Sequence, residues 1–70
     1  MEEVKVFHDS VGNTLVVWFG DPTAEVEAEE TGDEIILMKD KDGKVIGFEK
    51  LNFSMQPGQT VKADFQTFAA

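Results

Sequence analysis

Seventy residues make one domain, and a chain this short buries only about 60% of its unfolded surface, so it leans on a well-packed core or a partner. Cysteine and arginine are absent, there is one histidine, and fourteen acidic residues against six lysines give a net charge of −8. Disulfides and thiolate metal sites are thereby excluded, a zinc cage lacks ligands, and the basic footprint that nucleic acid requires is missing.

The first predicted element is a strand at Val4-Lys5-Val6-Phe7-His8, rich in β-branched and aromatic residues. Asp9-Ser10-Val11-Gly12-Asn13 has turn chemistry: Gly and Asn tolerate positive φ, and Asp and Ser bond their own backbone. Thr14-Leu15-Val16-Val17-Trp18-Phe19 is apolar on both faces, which predicts a central strand covered on both sides. Gly20-Asp21-Pro22 ends it, because proline cannot donate to a ladder. Glu25, Glu27 and Glu29 then alternate with Ala24, Val26 and Ala28. That period of two predicts a strand with one wet face over Thr23 to Glu30, with a helix as competitor because Glu and Ala are good helix formers. Thr31-Gly32-Asp33 signals a tight turn. Glu34-Ile35-Ile36-Leu37-Met38-Lys39 is a strong strand, and Lys44 to Phe53 is its hairpin partner.

The connection between those two, Asp40-Lys41-Asp42-Gly43, opens like a calcium loop but does not continue as one. Counting from Asp40, the fifth position is Lys44 and the twelfth is Leu51, where an EF-hand needs an oxygen ligand and a bidentate Glu. A three-residue hairpin loop fits instead, with Gly43 in the left-handed position. That loop sets Asp40 opposite Lys44, Lys39 opposite Val45, Met38 opposite Ile46, Leu37 opposite Gly47 and Ile36 opposite Phe48. Gly47 inside a strand suggests a bulge or a close backbone approach. Ile36, Met38, Ile46 and Phe48 then share one face, and Ile35, Leu37, Val45, Leu51 and Phe53 the other. A sheet apolar on both faces needs cover on both, from its own folding over or from a second subunit.

Met55-Gln56-Pro57-Gly58-Gln59 reads as a loop. Val61, Ala63 and Phe65 alternate with Lys62, Asp64 and Gln66, as in a last strand or an extended arm ending near Phe68. A short helix is the competitor. Phe65 and Phe68 on such an arm suit docking on a partner, or belong to a loose end.

Groups that carry chemistry are few. Ser10, Ser54, Thr14, Thr31 and Thr60 are the hydroxyl candidates and His8 is the one imidazole. Asp9 next to His8 makes no triad, because neighbours on a strand point to opposite faces. Gly43-Lys44-Val45-Ile46-Gly47 lacks the spacing of a phosphate cradle. Trp18 and the phenylalanines read as core, not as a stacking platform for bases. Glu25, Glu27 and Glu29 share one strand face at roughly 6.8 Å spacing. Such a row repels itself unless cations lie opposite. A two-residue turn at Thr31-Gly32 places it on the Ile36 and Met38 face. The row is a solvated face, a contact for a basic partner, or a weak divalent-cation site. A small ligand site or enzyme built on Asp9, Asn13 and Glu49 is a further alternative.

The order of these segments, and above all Asp42-Gly43-Lys44-Val45-Ile46-Gly47-Phe48-Glu49-Lys50-Leu51, resembles domain-of-unknown-function family 2283 over about residues 4 to 54. The matching features are the Asp-Gly, the Val-x-Gly and a Glu followed by an apolar ending. Lys50 stands where the family commonly has an aliphatic residue, and Trp18-Phe19 is bulkier than usual there. The resemblance implies a small β-rich fold and a prokaryotic cytoplasmic setting. It also implies an accessory or antitoxin-like role beside a small toxin, and assigns no catalytic activity.

The expected architecture is all-β: a small antiparallel meander of five to six strands. Residues 1–54 form the meander and residues 55–70 its C-terminal strand or arm. The expected function is non-enzymatic association, as a homodimer or with a basic protein partner, without cofactor, metal, nucleic acid or membrane. Glu25, Glu27, Glu29, Ile36, Met38, Ile46, Phe48, Phe65 and Phe68 are the expected contact residues. No apolar run approaches the roughly 18 residues of a membrane span. The first residues are acidic where a secretory leader is basic, so the expected location is the cytoplasm.

Overall fold

A computed structural model describes residues 3–54 and 59–69. Five strands form one open antiparallel sheet: β1 (Lys5–Asp9), β2 (Thr14–Trp18), β3 (Glu27–Glu30), β4 (Ile35–Lys39) and β5 (Val45–Lys50). The all-β antiparallel class is therefore as expected. The spatial order is β1-β2-β5-β4-β3, so β5 returns to lie beside β2. Strands β2 to β5 make a Greek key, to which β1 adds a hairpin strand.

Each turn has a local cause. Between β1 and β2 the Asp9 carboxylate accepts from the Val11 and Gly12 amides, both at 2.9 Å, and Asn13 adopts a φ of 57°. Phe19 to Val26 joins β2 to the distant β3. The Phe19 and Gly20 amides both donate to the Ile46 carbonyl, and the Val26 amide donates to the Lys39 carbonyl. The connection is thus pinned to the ends of the two strands it passes. Its middle is a short 3-10 turn at Pro22–Ala24, capped by Asp21, whose carboxylate accepts from the Thr23 amide at 2.9 Å. The strand expected from Thr23 is therefore shortened to Glu27–Glu30, and Glu25 lies outside it.

The β4–β5 hairpin closes through the expected loop. Gly43 has a φ of 78° and donates to the Asp40 carbonyl, while the Asp40 amide donates to the Lys44 carbonyl. The Asp40 carboxylate accepts from the Asp42 and Lys44 amides. Lys39 faces Val45 as expected, but the register then shifts. Met38 faces Gly47, Leu37 faces Phe48 and Ile36 faces Glu49. Ile46 is the extra residue of a two-against-one β-bulge. The expected pairs Met38–Ile46, Leu37–Gly47 and Ile36–Phe48 are corrected accordingly, and Phe48 moves to the opposite face from Ile36 and Met38.

The β3–β4 turn brings a second correction. The Thr31 amide and hydroxyl both donate to the Ile35 carbonyl, leaving a three-residue loop in which Gly32 has φ 89° and Glu34 φ 61°. A two-residue turn was expected there, and the extra residue flips the strand. Glu27 faces Lys39, Ala28 faces Met38, Glu29 faces Leu37 and Glu30 faces Ile36. Glu27 and Glu29 therefore lie on the Leu37 face, and not with Ile36 and Met38.

From Gln59 to Ala69 the chain forms no regular element, so the expected last strand is absent among the described residues. The loop expected at Met55-Gln56-Pro57-Gly58-Gln59 lies outside them up to Gly58. The buried hydrophobic side chains among the described residues are Met38 and Ile46, each 5% exposed. The radius of gyration is 13.5 Å, against about 11 Å for a compact domain of this length. The sheet does not fold over on itself.

Candidate interaction surface

The registers sort the strand residues onto two faces. On the first, one row runs Lys5, Trp18, Gly47, Met38, Ala28, and the next runs Phe7, Val16, Glu49, Ile36, Glu30. Ile46 joins this face through the bulge. On the second, one row runs Val6, Val17, Phe48, Leu37, Glu29. Beside it lie His8, Leu15, Lys50 and Ile35, and beyond the bulge Val45 and Lys39.

Gly47 has a clear steric role. A Cβ there would stand 2.7 Å from Trp18 Cε3 and 2.7 Å from the Val17 carbonyl oxygen. The indole of Trp18 therefore lies across Gly47, on the face that carries the buried Met38 and Ile46. On the second face Phe53 lies edge-on to His8, to one side of the central row. Val17, Phe48, Leu37, Leu15, Ile35 and Val45 are all half-buried, and Val6 is 39% exposed.

On the second face Lys39 and Lys50 meet three carboxylates, Glu27, Glu29 and Glu34. Lys39 pairs with Glu29 across the β3–β4 ladder, with Glu27 also opposite it. The hydrogen bond that Lys39 donates to the Glu29 carboxylate raises the Lys39 pKa above its ordinary value. Lys50 Nζ lies 3.0 Å from Glu34, whose other oxygen accepts from Asn52 Nδ2 at 2.9 Å. Lys50 first, and Asn52 second, hold the Glu34 carboxyl below its ordinary pKa. This clasp borders a hollow of 240 Å³ lined by Glu30, Gly32, Glu34, Ile35, Ile36 and Leu51. The first face differs, since Glu49 sits between Val16 and Ile36 with no ion-pair partner among the described residues.

The remaining candidates scatter. His8 stacks edge-on against Phe53 with ring centroids 5.7 Å apart, and its Nε2 is buried with no hydrogen-bond partner among the described residues. The Asp9 carboxylate is held by turn amides, which lower its pKa, Gly12 most and then Val11. Asp9 and Glu49 share a face but are two strands and two residues apart, about 12 Å by strand spacing. Phe65 and Phe68 are 73% and 82% exposed on the tail. Among the described residues no three His, Cys, Asp or Glu side chains gather as a metal group. No helix among them is long and apolar enough to cross a membrane. Sequence reasoning missed the Val6–Val17–Phe48–Leu37 row, because only the bulge at Ile46 brings Phe48 onto that side. The one signal in the sequence was Gly47.

No curated protein and no solved structure matches the chain. The family described as Protein of unknown function (DUF2283) matches residues 5–54, which span all five strands. By that match over most of its length, the chain belongs to the DUF2283 family.

Proposed function

We propose that this protein works by association and not by catalysis, and that it pairs first with itself. The observation that carries this is an open five-stranded sheet with apolar rows on both faces and only Met38 and Ile46 buried among the described hydrophobics. Apolar surface left in water at this density is the ordinary mark of a protein contact. The scatter of Asp9, Asn13, Glu49 and His8 supports the non-catalytic reading, since acid–base work needs groups within hydrogen-bond reach of one another. A cysteine-free chain suits a reducing compartment, in keeping with a cytoplasmic setting.

Size-exclusion chromatography with light scattering tests this. The expected mass at tens of micromolar is twice 7.8 kDa. A monomer of 7.8 kDa at that concentration overturns self-association. Glu49, unpaired in the middle of the first face, favours a second reading: an accessory partner of a small basic protein, such as a toxin, that lays a cation against it.

A further inference from the structure

Resting on that self-association, we propose that the second copy sits on the Val6–Val17–Phe48–Leu37 face, sheet against sheet, and leaves the Trp18–Met38 face free. The two faces differ in two respects. The row Val6, Val17, Phe48, Leu37 crosses four strands without a polar interruption and contains no buried member. The corresponding row of the other face, Phe7, Val16, Glu49, Ile36, is broken by a carboxylate with no ion-pair partner among the described residues. The other face also already contains the buried pair Met38 and Ile46, with Trp18 across Gly47.

Charge decides which occupant fits. The chain carries −8, so two copies repel wherever unpaired carboxylates meet. On the proposed face the ion pairs Lys39–Glu29 and Lys50–Glu34 are complete within each copy. Two copies closing there bring together one surplus carboxylate each, Glu27 on the edge strand β3, away from the apolar row. Closing the other face instead puts two Glu49 carboxylates, each without an ion-pair partner among the described residues, at the centre of the contact. Area sets the strength. Five strands about 4.8 Å apart and five residues long offer about 400 Å² of projected contact per copy. That is below the ~800 Å² per partner of a standard stable interface, so the dimer is reversible and concentration-dependent.

Neighbours on the edge strand β1 separate the possibilities, because Val6 points to the proposed face and Phe7, 57% exposed, to the other. Light scattering across a dilution series compares the wild type with Val6→Glu and Phe7→Glu, each first checked for native circular dichroism. Val6→Glu is expected to weaken the dimer by at least about tenfold, and Phe7→Glu by less than about twofold. Equal weakening by both indicates pairing through the β1 edge and overturns the proposal. Greater weakening by Phe7→Glu places the partner on the other face and also overturns it. A second readout needs no variant. On dilution of the wild type the Val17 and Leu37 methyl resonances are expected to move and those of Ile36 and Met38 to stay. The reverse pattern overturns the assigned face while self-association stands. A wild type that stays monomeric at tens of micromolar removes both.

Discussion

At Gly47 the requirement is purely steric, because a methyl group there meets both the Trp18 ring and the Val17 carbonyl oxygen at 2.7 Å. The ring can shift, but the carbonyl belongs to the ladder and cannot. Gly47→Ala is expected to cost about 1–3 kcal/mol, read as a lower urea midpoint. An unchanged midpoint shows that β2 and β5 are farther apart than described. Three exposed carboxylates set the acid limit. Asp9 is lowered in pKa by the Gly12 and Val11 amides, Asp21 by the Thr23 hydroxyl and amide, and Glu34 by Lys50 and Asn52. A carboxyl depressed in the folded state stabilises it above the unfolded pKa, and the gain is lost as pH falls through the folded value. Stability is therefore expected to decline below about pH 4, where ordinary carboxyls begin to protonate. Asp9→Asn, which cannot titrate, should flatten that decline in urea melts taken at several pH values, and an equally steep decline refutes the role of Asp9. Lys39, raised by Glu29, acts in the opposite sense and loses its contribution only at strongly alkaline pH.

The hairpin β4–β5 shows how one residue redirects an element. Its loop was legible from Asp40-Lys41-Asp42-Gly43, because the glycine supplies the positive φ that this turn needs. The register was legible only as far as Lys39 and Val45. Beyond them the Ile46 carbonyl turns to accept the Phe19 and Gly20 amides, which lie more than twenty residues earlier in the chain. Gly47 signalled a bulge, but no local pattern encodes that demand, so its place at Ile46 and the transfer of Phe48 were hidden. Side-chain NOEs are expected between Leu37 and Phe48 and not between Ile36 and Phe48, and the opposite pattern restores the unbulged register. Ile46→Ala is expected to lose about 2–5 kcal/mol, as for other buried isoleucines, while Val11→Ala, at a fully exposed turn, stays within about 0.5 kcal/mol. The β3–β4 turn failed for a related reason. Glu34 takes a φ of 61°, held by Lys50 and Asn52 from the end of β5 and beyond, and side-chain identity gives no warning of a left-handed glutamate.

At the scale of the whole molecule the sheet has two apolar sides, and the proposed association should respond to salt in a way that names the partner. A dimer carries twice −8, or −16, so screening by added salt is expected to tighten it. Binding of a basic partner at Glu49 is expected to weaken under the same change. Light scattering at low and high salt separates the two, and a self-association that weakens with salt contradicts a contact opposed by like charge. The sequence by itself determined the strand class, the turns made by Asp9, Asp21 and Gly43, and the surplus of apolar residues on alternating positions. Those depend on neighbours within a few residues. Strand order, the placing of Glu27 and Glu29 beside Lys39, and the assembly of Val6, Val17, Phe48 and Leu37 into one row were decided only in the tertiary structure. Each of them depends on a hydrogen bond or a cross-strand pair between residues distant in the chain, and a single-residue shift in pairing carries every following side chain to the other face.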